Sequence, residues 1–159
     1  MGARWRSPDR QADMGRKEPD AAPAPTLRRH AFQQTANRLR RLAYEVGRAS
    51  KSGDTESIHD LRVSIRRLAQ CLRVFEQFFP HGKTRKIRRT LKDMADLASA
   101  VRDRDVAAAL LAKAKIAPES ELPRRLAEGR RAAQRALVTE LKQFTRSNLS
   151  RKWRSLLEL

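Results

Sequence analysis

Beyond residue 26 apolar residues recur at three- and four-residue steps, and no two-residue alternation appears. That period belongs to helices with one buried face and not to half-buried strands. Leu39, Leu42, Ala43 and Val46 make the first seam. Thr26 suits its N-cap, and the Ser52-Gly53 turn signal ends the helix near Ser50. The second seam is Ile58, Leu61, Ile65, Leu68, Leu72, Phe75 and Phe79, opened by Asp54 or Thr55 and stopped at Pro80-His81-Gly82. Asp54, Glu56 and Asp60 occupy its first turns, where the helix dipole favours negative charge. A third helix starts near Lys83, with Ile87, Leu91, Met94, Ala98 and Val101 inward, a bend at Arg102–Asp105 and a continuation through Ala112. Pro118 and Pro123 punctuate the next link. A fourth helix runs from about Glu121, with Leu126, Ala133, Leu137, Leu141 and Phe144 inward. Asn148–Ser150 breaks it, and Arg151–Leu157 forms a last short helix. Four long amphipathic helices with short links predict an all-α protein, an antiparallel four-helix bundle. Residues 1–25 end in Asp20-Ala-Ala-Pro-Ala-Pro25 and hold almost nothing to bury. They are expected to be disordered, ahead of one helical domain over 26–159.

Charge sharpens this picture. Thirty-six Lys and Arg stand against 18 Asp and Glu, for a net +18. Residues 1–25 supply only +1 of it, so the excess sits on the helices. Such a field attracts nucleic acid, inorganic phosphate chains or anionic lipid. No apolar run approaches the roughly 20 residues that span a bilayer, and no secretory apolar core opens the chain. Cys71 is the only cysteine, which excludes an intrachain disulfide and reads as a small buried hydrophobe in a reducing compartment. The expected location is the cytoplasm.

The cations are also segregated. At about 100° per residue, His59, Arg62, Arg66 and Arg73 share an arc of roughly 60° on the second helix, beside its core seam. Arg67 lies next to them, and the third helix offers Arg85, Arg88, Arg89 and Lys92 on its polar side. Arg38 and Arg41 of the first helix are weaker candidates. A row of like charges costs stability unless something neutralises it. Arginine suits phosphate because its planar fork donates paired hydrogen bonds and stays charged at neutral pH. The plainer reading is a solvated face with structural salt bridges. The edge-of-core position, the net charge and the second row favour a polyanion in a groove between the two helices. Arg102 falls close to the apolar arc, so a structural ion pair with a carboxylate is expected there. His30, His59 and His81 lie on different elements, without the i+3 or i+4 partner of a metal site. No Gly-rich phosphate loop, nucleophile triad or paired-carboxylate signature stands out. The expectation is therefore a binding protein without catalysis, metal or cofactor. Trp5 and Trp153 are not interleaved with the basic rows, which gives base stacking little support.

Two linked motifs resemble the CHAD family. His59, Arg62, Val63, Arg66, Arg67 and Leu68 match its H-x-x-R-V-x-x-R-R-L helix. Arg102, Asp103, Asp105 and Val106 match its R-D-x-D-V segment. The resemblance covers roughly residues 26–159. It implies antiparallel helical bundles that bind inorganic polyphosphate in a basic central groove without catalysis, and a place at polyphosphate granules. Ala69 interrupts the arginine series seen in many members, and Ser99 replaces a common glycine. Members usually carry two four-helix halves, and this sequence covers the first, so the expectation is either a piece of a longer protein or a homodimer that rebuilds the groove. His59-Asp-Leu-Arg-Val63 is also similar to the phosphoacceptor helix of sensor histidine kinases, with His59 as nucleophile. There, however, Ser64 stands in the place of proline, and the Arg102 segment is left unexplained. A nucleic-acid-binding bundle is the other alternative.

Overall fold

Capping side chains set the helix limits. In this computed structural model, which describes residues 26–159, Thr26 Oγ1 accepts the Arg29 N–H at 3.3 Å and opens α1 (Leu27–Lys51). The segment expected to be disordered, 1–25, lies outside the described residues, as does Trp5. Asp54 opens α2 (Thr55–Val74), its carboxylate accepting the Ser57 N–H at 2.7 Å. Gly82, at φ 73°, turns the chain into α3 (Lys83–Lys113). The remaining helices are α4 (Glu121–Arg146) and α5 (Leu149–Leu156), and no strand occurs among the described residues. The molecule is thus all-α, as the periodicity requires. The Arg102–Asp105 segment lies inside one uninterrupted helix.

Asp54 gives the first testable consequence. A hydrogen bond from the Ser52 hydroxyl, then one from the Ser57 backbone, holds its carboxyl below the usual aspartate range. The folded value is the depressed one. Its contribution is therefore complete above the ordinary value of about 4 and fades as pH falls through it. Asp54→Ala is expected to lower the thermal midpoint at pH 7, with the gap to the parent closing below about pH 4. A gap that stays constant down to pH 3 would show that the carboxylate does not cap.

α2 is shorter than its apolar pattern suggests. It ends at Val74, a 3-10 turn follows over Glu76–Phe78, and Phe79 is extended at φ −110°, ψ 158°. The cause is Pro80, whose ring bars helical geometry from the residue before it. Phe79 still reaches the core, stacked on Phe32 with ring centroids 5.2 Å apart.

α1 packs on α2 and α4, α2 on α3, and α3 on α4, with α5 against α1 and α4. Leu42, Leu61, Leu68, Leu91, Met94, Leu137 and Leu141 are fully buried where these faces meet. Leu126 and Ala133, expected inward, are only half-buried, and no residue from 102 to 136 is fully buried. The core stops at Val101 and Leu137 because the link between α1 and α2 ends there. Gly53 of that link sits at φ 58°, and a Cβ on it would fall 2.0 Å from the Gln134 side-chain nitrogen. Its positive φ favours glycine, and any larger residue would also have to displace the Gln134 amide. Trp153, which the sequence left without a role, is buried edge-on against Phe144 at 5.3 Å.

Candidate phosphate-binding cleft

α2 and α3 lie side by side, and a cleft of about 1220 Å³ opens between them. Ile65 and Leu91 anchor its floor in the core, while Ala69, Ala95 and Ser99 are small enough to leave it open. His59, Arg62 and Arg66 line one wall, and Arg85, Lys86, Arg88, Arg89 and Lys92 the other. Seven permanent cations and a histidine thus face one space, with no carboxylate among the lining residues. Ala69 and Ser99, where the chain departs from the family pattern, are both in its lining.

The two rows converge for a simple reason. Residues three or four apart share a helix face. Both rows flank seam residues, so packing the seams together aims the rows at a common gap. Lys86 was missing from the sequence-derived set. It sits one turn before Arg89 and Thr90 on the same side as the row, a signal that the helical phase already carried.

The free cations differ from the engaged ones. Among the described residues no carboxylate comes within 4.0 Å of His59, Arg62, Arg66, Arg67, Arg85, Lys86 or Arg89. Arg88 Nη1 lies 3.4 Å from Glu76 Oε2. Lys92 Nζ lies 2.7 Å from Asp96 Oδ2, a hydrogen bond that, with the attached charge, raises its pKa above the usual lysine value. Such surface pairs are held weakly, which leaves both cations open to exchange with an anionic ligand.

Arg67, Arg38 and Arg41 face elsewhere. With His59, Asp60, Val63 and Ser64 they line a smaller cleft of about 260 Å³ between α1 and α2. His59 and Val63 border both clefts, so His59 stands on the ridge between them. Arg41 is already engaged, its Nη2 lying 2.5 Å from Oε1 of the fully buried Glu45. That contact lacks the alignment of a hydrogen bond and is held by charge alone. Arg48 approaches the same carboxylate at 3.8 Å while donating to Asp60 at 2.7 Å. Arg73 is exposed and lines none of these clefts, since it lies two turns past Arg66 where α2 ends.

The expected pairing of Arg102 is corrected. No carboxylate is within salt-bridge distance of this half-exposed arginine among the described residues. The ion pair of that segment is formed by Asp105, whose Oδ1 accepts Arg130 Nε at 2.7 Å. Arg130 also donates to the Gly53 carbonyl at 3.0 Å and to Gln134. The segment therefore ties α3, α4 and the α1–α2 link together. Cys71 is half-buried, 3.4 Å from Thr35 Oγ1. Among the described residues no three His, Cys, Asp or Glu side chains gather as a metal-binding group, and no helix is long and apolar enough to cross a membrane.

A family model described as the CHAD domain matches residues 17–159. No match was found among curated proteins or solved structures.

Proposed function

The chain belongs to the CHAD family, and on that premise we propose that it binds inorganic polyphosphate in the α2–α3 cleft and catalyses no reaction. One observation carries this reading: two cationic rows from different helices line a single cleft that holds no carboxylate. A flexible polyanion meets both rows at once, and each of its phosphates that an arginine or lysine neutralises sheds a counterion. His59, Arg62, Arg66, Arg88, Arg89 and Lys92 are the principal contacts. Arg67, Arg38 and Arg41 extend the basic surface over the ridge, and Arg73 adds to the field at its end. The cleft lining contains no Phe, Tyr or Trp side chain, which favours a bare phosphate chain over stacked nucleobases.

The same reading covers the assembly. The contacts run from α1 to α2, α3, α4 and back to α1, and the links are short. We take this as an antiparallel four-helix bundle, one half of a two-bundle domain. Two chains then pair with their α2–α3 faces toward one shared channel, and polyphosphate, which neutralises that channel, promotes the pairing. The expected location is the cytoplasm, at polyphosphate granules.

Competition of long-chain polyphosphate against duplex DNA and RNA at fixed salt tests the ligand. Polyphosphate is expected to win at near-physiological salt, with an affinity that falls steeply as salt rises. Ready displacement of polyphosphate by DNA would hand the cleft to nucleic acid. Sedimentation of the same samples reads the pairing: the mass should double with polyphosphate long enough to bridge two copies. A monomer under those conditions would mean that one bundle suffices or that the sequence is part of a longer chain.

A further inference from the structure

A third cleft, of about 520 Å³, lies between α1 and α2 beyond the smaller one that Arg41 and His59 line, toward the C-terminal end of α2. Its composition is graded. Arg38, Arg66 and Arg67 stand at one end, Gln34, Gln70 and Cys71 in the middle, and His30, Val74 and Phe75 at the other. From Arg38 to His30 the cleft follows α1 for eight residues, about 12 Å of rise. The three arginines have no carboxylate within 4.0 Å among the described residues. His30 stands edge-on to Phe75, with ring centroids 6.2 Å apart.

This gradient differs in kind from the α2–α3 cleft, where cations run along both walls and no Phe, Tyr, Trp or amide side chain takes part. A bare phosphate chain finds three cations at one end here and an apolar aromatic floor at the other. A ligand with phosphates at one end and a flat heterocycle at the other uses the whole length. We propose that the α1–α2 cleft binds a nucleoside polyphosphate. Its phosphates lie on Arg38, Arg66 and Arg67, and its base rests on Phe75 and His30 within reach of the Gln34 and Gln70 amides. Arginine forks hold phosphate oxygens, aromatic faces accept bases of any sequence, and paired amides offer donor and acceptor to a base edge.

The site carries its own reporter. Cys71 is the only cysteine in the chain and lines this cleft but not the α2–α3 one. Its alkylation rate therefore reads occupancy of this cleft directly, and because Arg66 borders both clefts the assay is run without long-chain polyphosphate. With ATP as the probe, alkylation of the full chain is expected to slow several-fold. Tripolyphosphate, which carries the same number of phosphates without a base, should protect little at equal concentration. Arg38→Ala and His30→Ala should each raise the ATP concentration for half-protection, the former about tenfold, as one lost charged hydrogen bond predicts. Arg38 and His30 lie outside the α2–α3 cleft, and the thermal midpoint and helical circular dichroism of the same variants show whether each is still folded. Absence of protection by ATP overturns the proposal. So does equal protection by tripolyphosphate, or protection that neither substitution alters.

Discussion

Replacing Arg62 and Arg66 together by alanine is expected to weaken long-chain polyphosphate binding by about 2–4 kcal/mol, from roughly 1.5–3 per charged hydrogen-bonded contact less screening by salt. Both guanidinium groups face the α2–α3 cleft, and neither forms an ion pair among the described residues. Their loss removes a ligand contact without stranding a partner. Thermal stability should hold or rise, because crowded like charges repel. The control is Arg131→Ala with Arg135→Ala. These exposed arginines on α4 carry the same total charge but line neither cleft. If the cleft makes direct contacts, the α2 pair costs far more affinity than the α4 pair and lowers the salt slope by about 2. Equal losses would reduce the cleft to one part of a general basic field. Unfolding of the Arg62/Arg66 variant would make those arginines structural.

The helices and the rows were legible because each depends on residues close in sequence. Asp54, Gly82 and Pro80 punctuate locally, and helical phase sets His59, Arg62 and Arg66 on one face whatever the tertiary structure. Partnerships across helices were not legible. Periodicity placed Arg102 near the core and suggested an ion pair, but the pair belongs to Asp105 and to Arg130, 25 residues further on. Glu45 shares the helical phase of Leu42 and Ala49 on the buried face of α1, but its charge reads as a surface residue until its ion pairs with Arg41 and Arg48 are seen. Phase alone also grouped Arg73 with the cleft residues, because an angle about the axis does not report where a neighbouring helix begins or ends. The openness of the cleft arises from Ala69, Ala95 and Ser99 on two helices. Each small residue reads as an ordinary helix position until the partner helix is in place. Leu126 does turn inward, toward Ala108, Leu111 and Ala112 of α3, but it stays half-buried because the α1–α2 link ends at the level of Arg130 and Gln134.

Arg130 is expected to be the costliest polar side chain to remove. The Asp105 side chain is only 9% exposed and its pair partner Arg130 27%. Asp105 Oδ2 is buried without a hydrogen bond, so the carboxylate depends on its single contact through Oδ1. Arg130→Ala strands that carboxylate and removes the donor to the buried Gly53 carbonyl. Breaking one side of a buried pair costs about 3–5 kcal/mol. The residual exposure of Arg130 lets water reach the site, which places the expected loss near the lower end, about 3 kcal/mol. Adding Asp105→Ala should cost little more and can recover part of the loss, because the uncompensated charge leaves with it. Arg102→Ala should change stability by no more than about 0.5 kcal/mol, the range for surface substitutions without a partner. Urea unfolding of the three variants distinguishes these roles. Polyphosphate titration should leave Arg130→Ala close to the parent wherever it remains folded, since neither Arg130 nor Asp105 lines the α2–α3 cleft. A loss under 1 kcal/mol for Arg130→Ala would mean that water satisfies Asp105 and that the pair does not pin the α1–α2 link. A large loss for Arg102→Ala would return the structural role to the residue that the helical pattern first suggested.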